Sequence, residues 1–336
     1  FCLDSLVPAG PVEVPPPDTP RRASAPKIAA NGEKVPLGEP NRPRQELFEP
    51  LPQPQVLEAK ASTRALLYGA ITLLAIIGVV VYVRVNDFSA RIDRALAASR
   101  YFSADQNSVY DIYTAEATKH PDSTEVKAAA AKIVAKLAPE SDEQLSSFYR
   151  DSDAKDWSNL ARSYGFLEVL TPADNAVKTK HAYAEGQRLL VEDHDYAKAF
   201  DSFRRALSFD SRFVLAINGI AKVYIQDSSP LHNEAAAVQS YQDAMAADPN
   251  FTWAPKNLGE FYMQKEQWQT ADLYMGRALQ TSPQRPSILA ALGRIAFNRR
   301  NYKAAQDYYL RAIQVAKKPE DIKKYNHALE QIREKL

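Results

Sequence analysis

Small residues recur every 34 positions in the last third of the sequence, and this spacing constrains the fold more than any other feature. Gly259 precedes Gly293 by 34 positions, and prolines and alanines of the same stretch repeat with them. The matched pairs are Pro249/Pro283, Gly259/Gly293, Ala271/Ala305, Ala278/Ala312, Ala237/Ala271 and Ala244/Ala278. A fixed period of this length predicts a stack of similar units, each of which packs mainly on its neighbours.

One period holds two short amphipathic stretches separated by a turn at "KEQW". Gly259 and Ala271 are expected where the two helices approach closely, because small residues let helix backbones come near each other. A proline, Pro283, follows the second stretch and cannot continue its hydrogen-bond ladder. The large side chains expected beside the small ones are those of Tyr262, Tyr274 and Met275.

These residues resemble the tetratricopeptide repeat family, whose first helix carries L-[GA]-x2-Y and whose second carries A-x3-[FY]-x2-A before a proline. One repeat matches at Leu258, Gly259, Tyr262, Ala271, Met275, Ala278 and Pro283, and the next at Leu292, Gly293, Ala305, Tyr309 and Ala312. An earlier match includes Ile220, Ala221, Tyr224, Ala237, Tyr241, Ala244 and Pro249, and a looser one includes Gly186, Ala199, Phe203 and Ala206. The resemblance implies an all-α right-handed superhelix of helix pairs, with four repeats over residues 180 to 317.

The repeats predict the organisation of the C-terminal part of the chain. Residues 176–336 are expected to hold the repeats and a capping helix that opens at Pro319, with apolar residues on one face. Residues 86–175 are expected to be helical and to resemble degenerate repeats, because "WSNLARSY" fits the first-helix pattern without a complete partner.

A second feature is the apolar segment "RALLYGAITLLAIIGVVVYVR" at residues 64–84. Its nineteen positions between the two arginines carry no charge and leave no polar face. At about 1.5 Å per residue they cover about 28 Å, close to the thickness of a bilayer core. The eleven Leu, Ile and Val residues favour insertion by roughly 5 kcal/mol. The segment is therefore predicted to be a single transmembrane helix.

The residues before this segment differ sharply in composition. Thirteen of the 22 prolines lie between Pro8 and Pro54, and no helical period is present. Such a stretch cannot bury enough apolar surface to offset the entropy of ordering, so residues 1–60 are predicted to be a disordered Pro-rich tail.

The flanking charges give conflicting signals about orientation. Twenty positions ending at Arg64 carry two basic residues and twenty beginning at Arg84 carry four, which favours a cytoplasmic C-terminal side. Moving the tail outward, however, would translocate eight basic and eight acidic residues. We expect a cytoplasmic N-terminal tail and an extracytoplasmic repeat domain.

Motifs for chemistry are lacking in the sequence. The glycines form no phosphate-binding loop, the five histidines show no metal-ligand spacing, and Cys2 is the only cysteine. Charges are balanced, 42 basic against 41 acidic, which does not indicate a nucleic-acid partner. We expect no enzyme activity, catalytic residue, metal, cofactor, nucleic acid or small-molecule substrate.

The family resemblance implies that first-helix side chains line a partner-binding groove. By register this predicts binding residues at Asn218, Lys222, Trp253, Lys256, Glu260 and Arg294. The predicted partner is a protein or peptide, with an acidic or aromatic segment facing the lysines and Trp253. Two interpretations of Trp253 remain open, as an anchor for a ligand or as a packing residue between repeats.

These observations favour a single-pass membrane-anchored scaffold that binds a protein or peptide partner in the groove. One alternative is the sensor part of a receptor-like membrane kinase whose catalytic domain lies upstream of Phe1. Another is an organelle import-type receptor. The import-type receptor is disfavoured because the family's clamp for chaperone C-terminal carboxylates is incomplete in this sequence. Only Asn257 has the residue type that the clamp requires among the five clamp positions, Asn218, Lys222, Asn257, Ser287 and Ala291.

Overall fold

A computed structural model describes residues 63–103, 106–150 and 155–336. Within these ranges every regular element is an α-helix, and there are fourteen. This confirms the all-helical class that the family resemblance implies. The predicted disordered tail, residues 1–60, lies outside the described residues, and the handedness of a superhelix stays a prediction.

The first helix, α1, spans Thr63–Asn86 and contains the apolar segment. Its stretch Leu66–Val83 is long and apolar enough to cross a membrane, and no part of it is buried in the protein. The hydroxyl of Thr72 donates to the carbonyl oxygen of Tyr68 at 2.6 Å, so its polar group is satisfied within the helix.

Four helices follow before the repeats: α2 Phe88–Ala97, α3 Val109–Lys119, α4 Thr124–Arg150 and α5 Trp157–Leu170. The 27-residue α4 continues through Pro139, although a proline inside a helix removes one backbone hydrogen bond. At α5 the carboxylate of Glu192 accepts from the backbone N–H of Trp157 at 3.0 Å and of Ser158 at 3.2 Å. Asp156 is the N-cap of α5 and accepts from the backbone N–H of Asn159, so Glu192 from the end of the next helix satisfies two further N–H groups of the first turn.

Eight helices form four successive pairs in the region predicted to contain the repeats. They are α6 Asn175–Val191 with α7 Tyr196–Phe209, α8 Val214–Tyr224 with α9 Glu234–Ala247, α10 Trp253–Gln264 with α11 Trp268–Thr281, and α12 Pro286–Asn298 with α13 Tyr302–Val315. The two helices of each pair pack on each other, and each pair also packs on the next. We refer to α6, α8, α10 and α12 as the first helices.

Glycines of the first helices lie against large side chains of the second helices. A Cβ at Gly293 would lie 2.8 Å from the ring of Tyr309, and one at Gly259 would lie 3.0 Å from Met275. Phe203 fills the corresponding space between Gly186 and Gly219, where added Cβ atoms would lie 2.6 and 2.8 Å from its ring. The small residues therefore set the distance between helices, because any side chain there would overlap its neighbour.

The turns inside the pairs follow the same 34-residue spacing. Glu266 and Arg300 both follow the last residues of a first helix and have φ values of 58° and 61°. This left-handed conformation ends a helix and favours glycine. The second helix α13 then starts at a side-chain cap, in which Asn301 accepts from the backbone N–H of Ala304.

The last helix, α14, spans Pro319–Arg333. Tyr325, Leu329 and Ile332 are buried on one face and pack in the same apolar cluster as Tyr309 of α13. The remaining face is largely exposed, so α14 covers the apolar side of the last pair.

Candidate functional site

Polar side chains connect the first helices to one another. Lys222 of α8 donates from Nζ to Oε1 of Gln187 on α6 at 3.3 Å, and Gln187 donates to the hydroxyl of Tyr183 at 2.9 Å. Between α8 and α10, Nδ2 of Asn257 donates to Oδ1 of Asn218 at 3.1 Å. Residues predicted to line a groove thus lie together on neighbouring helices.

Asn218 differs from the other predicted binding residues because its side chain is buried. Its side chain is only 3% exposed, and its oxygen accepts the hydrogen bond from Asn257. A buried amide with a partner stabilises the packing of α8 on α10, since an unpaired one would cost about 1–3 kcal/mol. The structure therefore places Asn218 beneath the surface, whereas Lys222 and Lys256 are partly exposed.

Trp253, the first residue of α10, is the centre of an aromatic and cationic cluster. Tyr149 of α4 meets it edge to face, with ring centroids 5.5 Å apart. Arg285 lies over the indole at 4.7 Å, Lys256 at 5.5 Å and Lys155 at 5.7 Å from the ring centroid. Each cation over an aromatic face contributes about 0.5–1 kcal/mol where solvent reaches it.

Arg285 also fixes the end of α4 beside this cluster. Its guanidinium donates to the carbonyl oxygen of Tyr149 at 2.9 Å, across 136 positions of sequence. The indole of Trp253 therefore contacts both a neighbouring repeat and the end of α4. It remains half-buried, so part of its surface is available to a ligand.

The cations of this cluster repel each other. Burial, followed by the charges of Lys155 and Lys256, lowers the pKa of Lys222 to about 8. Burial and the charges of Lys256 and Arg285 also lower the pKa of Lys155. Lys256 has a local counterion, since its ammonium pairs with the carboxylate of Glu260 one turn further along α10. Lys155, Lys222 and Lys256 therefore lie close enough for their positive charges to oppose one another.

Trp253 lines two clefts. One, of about 520 Å³, also includes Tyr149 and Asp142. The other, of about 860 Å³, has Lys155, Trp253, Arg285, Lys317 and Lys318 among its lining residues, and we call it the basic cleft. It lies where α10, α12 and α14 begin. Its volume is within the range of about 300–1,000 Å³ that is typical of ligand sites.

A third cleft, of about 610 Å³, lies between α10, α12 and α14, and Trp253 is not among its lining residues. Ser287, Ala290 and Ala291 of α12 form a wall of small side chains, and Glu260 and Arg294 also line it. We call it the small-residue cleft. The six predicted binding residues are therefore divided. Glu260 and Arg294 line this cleft, Trp253 lines the basic cleft, and Lys256 lies over the Trp253 ring. Lys222 is close enough to Lys256 for their charges to interact, and Asn218 is buried.

Sequence reasoning missed three members of the cluster, Tyr149, Lys155 and Arg285. Tyr149 and Lys155 precede the recognisable repeats, so the 34-residue register assigned them no position. Arg285 sits in the turn before α12, outside the first-helix positions considered. Its neighbour Pro286 marks the start of a helix, and a basic residue directly before that start was the only sequence feature that could have pointed to Arg285.

Among the described residues, no group of three or more His, Cys, Asp or Glu side chains is arranged to hold a metal ion. The arrangement around Trp253 can instead bind charged and aromatic groups through ion pairing and ring contacts.

The family comparison agrees with this fold. Residues 287–323, which contain nearly all of α12, the whole of α13 and the start of α14, match the tetratricopeptide repeat family. This match supports the family predicted from the sequence. The matched repeat has Ala296 at the first-helix position where the family pattern has tyrosine. No curated protein matches the chain over its sequence.

Several solved structures show a distant similarity to this chain. TTC0263, a thermophilic TPR protein from Thermus thermophilus, has 16% identity and a TM-score of 0.44, covering 60% of this chain and 98% of its own. YrrB, described as a TPR protein with an unusual peptide-binding site, has 16% identity and a TM-score of 0.37, covering 65% and 97%. MamA has 15% identity and a TM-score of 0.37, covering 48% and 88%. These values are too low to transfer a function.

Proposed function

We propose that this chain is a single-pass membrane-anchored scaffold whose helical-repeat domain binds a protein or peptide partner along its first helices. The observation that carries the proposal is the half-buried indole of Trp253, which lines two clefts and has Lys155, Lys256 and Arg285 over its ring. Half-buried aromatic residues with arginine beside them are typical anchors of protein interfaces.

The anchor is supported by the exposure of α1. The stretch Leu66–Val83 leaves large apolar side chains uncovered, with Leu67 62% and Val79 61% exposed. A core helix of a soluble protein would be packed on its neighbours, whereas these side chains need an apolar solvent. Tyr68 and Tyr82 stand near its two ends, where the interfaces of a bilayer favour aromatic residues.

The anchor is tested by extraction of membranes at alkaline pH. The full chain should stay in the pellet, and a variant lacking residues 64–84 should be released. Release of the full chain would contradict the anchor. Protease treatment of intact cells, with a tag after Leu336, tests the orientation: digestion from outside fits the proposed extracytoplasmic repeat domain, and protection until lysis contradicts it.

The groove is tested by selecting peptides from a random display library against the full chain in nanodiscs. Selected peptides should lose affinity for Trp253→Ala by about tenfold or more, as expected for an aromatic anchor. Trp268→Ala is the matched control, because Trp268 is also half-buried but begins the second helix α11. Equal binding to both variants by every selected peptide would refute the groove.

A further inference from the structure

The last turn of α4 reaches Trp253 on the first helices. The ring of Tyr149 meets the indole edge to face, with centroids 5.5 Å apart. The carbonyl oxygen of Tyr149 accepts a hydrogen bond of 2.9 Å from Arg285, in the turn before α12. Lys155 lies over both rings, 5.8 Å from the centroid of Tyr149 and 5.7 Å from that of Trp253. The predicted anchor for a ligand thus already has an aromatic side chain of the same chain against it.

This contact is separate from the packing that holds α4 in place. Along its length α4 packs on α2, α3 and α5, whereas α10 is not one of its main neighbours. Near its end, the carboxylate of Asp142 accepts from the hydroxyl of Tyr164 on α5 at 2.7 Å, and Phe148 is only 4% exposed. These contacts remain when Tyr149 leaves Trp253, so α4 does not depend on the indole for its position.

Neighbouring positions at the end of α4 line different clefts. Tyr149 lines the cleft of about 520 Å³, and Phe148 lines the basic cleft of about 860 Å³. Trp253 lines both, so the end of α4 stands between the two clefts at the indole. The ring of Tyr149 therefore occupies space that a ligand of Trp253 needs. Both rings are half-buried, so another molecule can reach this contact.

We propose that the last turn of α4, residues 146–149, is an internal ligand of Trp253, and that an aromatic side chain of the partner peptide replaces Tyr149 there. A ring of the partner makes the same edge-to-face contact with the indole and the same contact with the ammonium of Lys155. This inference rests on the proposed function, and it specifies the anchor residue of the partner and the contact that competes with it.

An internal ligand lowers the affinity of every peptide that uses the same face of the indole. Only molecules in which this face is open can bind, so the apparent affinity falls with their fraction. The last turn of a helix can open separately, because its last four carbonyl groups have no partner within the helix. Removal of the Tyr149 ring should therefore strengthen binding. A side chain that only formed part of the binding surface would have the opposite effect.

The test measures, by anisotropy, the binding of fluorescein-labelled peptides to the full chain in nanodiscs of neutral lipid. The peptides are those from the display library that require Trp253. Tyr149→Ala should bind them about three- to tenfold more tightly than the original protein, as expected for the loss of one competing aromatic pair. Tyr149→Phe keeps the ring and should bind within about twofold of the original protein. Weaker or unchanged binding to Tyr149→Ala would overturn the internal ligand.

The matched control is Tyr274→Ala. Tyr274 is also half-buried, its ring stacks on that of Tyr262 with centroids 5.6 Å apart, and Arg277 lies 5.7 Å from its centroid. It belongs to the second helix α11 and lines neither cleft at Trp253. Affinity within about twofold of the original protein is expected for the control. An equal gain in both variants would overturn the inference, because loosening of the fold would then explain it.

Hydrogen exchange of the unaltered chain gives a second test that needs no substitution. If the peptide displaces the last turn of α4, the amides of residues 146–149 should exchange at least about threefold faster with saturating peptide than without it. A peptide that packs on Tyr149 would instead cover this turn. Slower or unchanged exchange would therefore overturn the displacement.

The peptides themselves test the aromatic anchor. Each peptide that requires Trp253 should contain a phenylalanine, tyrosine or tryptophan whose replacement by alanine weakens binding by about tenfold. Tight binding without such a residue would overturn the replacement of Tyr149. The two proposals fail in different ways. Peptides that require Trp253 but gain nothing from Tyr149→Ala overturn the internal ligand and leave the groove intact, whereas peptides indifferent to Trp253 overturn the groove itself.

Discussion

Lys222 allows the electrostatics of the groove to be tested without a ligand. Its pKa falls from an ordinary 10.5 to about 8 because of burial and two neighbouring lysines. A lysine with a lowered pKa destabilises the folded state wherever the unfolded chain holds the proton more tightly. The full cost is present below pH 8 and is relieved as the pH rises from about 8 to 10.5.

The size of this effect follows from the same values. The difference between the two pKa values corresponds to about 3 kcal/mol at pH 7, an upper value since solvent reaches part of the side chain. Lys222→Met keeps the length of the side chain and removes the charge. It also removes the hydrogen bond to Gln187, at a cost of about 1 kcal/mol. The variant should be more stable by up to about 2 kcal/mol at pH 7.

The assay compares urea unfolding of both proteins in a mild detergent at several pH values, followed by circular dichroism. The stability difference should shrink by about 2 kcal/mol between pH 7 and 9.5, because Lys222 in the folded protein has lost most of its positive charge at the higher pH. The lost hydrogen bond is constant across this range and cancels. A pH-independent difference would refute the assignment of Lys222 as a repelled, partly buried cation.

Three further tests concern a close helix contact, a turn and a helix start, and the same unfolding assay measures them. Gly219→Ala should destabilise the fold by about 1–3 kcal/mol, because its new Cβ overlaps the ring of Phe203. Gly276→Ala is the control, since it has open space around it and should stabilise by about 0.5–1 kcal/mol. Equal effects of the two variants would contradict the close approach at Gly219. Glu266→Gly should stabilise by about 1 kcal/mol, because its φ of 58° favours glycine, and any loss would count against this turn. Glu192→Ala should cost about 1–2 kcal/mol, because the backbone N–H groups of Trp157 and Ser158 lose their acceptor while Asp156 still caps α5. Glu192→Gln should cost less, and an unchanged midpoint for both variants would exclude a stabilising role of these two hydrogen bonds.

Local packing of the repeats was predictable because it is encoded within one period. The spacing between Gly259 and Met275 brought a small residue against a large one, and the structure has this contact. Tyr262 and Tyr274, expected beside them, stack with ring centroids 5.6 Å apart. Such pairs need only the helix period and the length of one turn.

The binding surface was less predictable, since it depends on contacts between distant parts of the chain. Tyr149 and Arg285 meet across 136 positions, and no repeat register relates them. Although a proline inside a helix removes a backbone hydrogen bond, α4 continues through Pro139 to Arg150 and brings Tyr149 to Trp253. The burial of Asn218 depends likewise on its partner Asn257 in the next pair, which a pattern within one helix does not specify.

The arrangement of cations at Trp253 is more consistent with binding than with stability. Lys155, Lys222 and Lys256 are close enough for their charges to oppose one another, and Glu260 balances only part of this charge. Packing alone would be served better by uncharged side chains, because a partly buried, repelled cation lowers the stability of the fold. A partner peptide with an acidic segment beside Trp253, as predicted from the sequence, would offset the repulsion among these three lysines on binding.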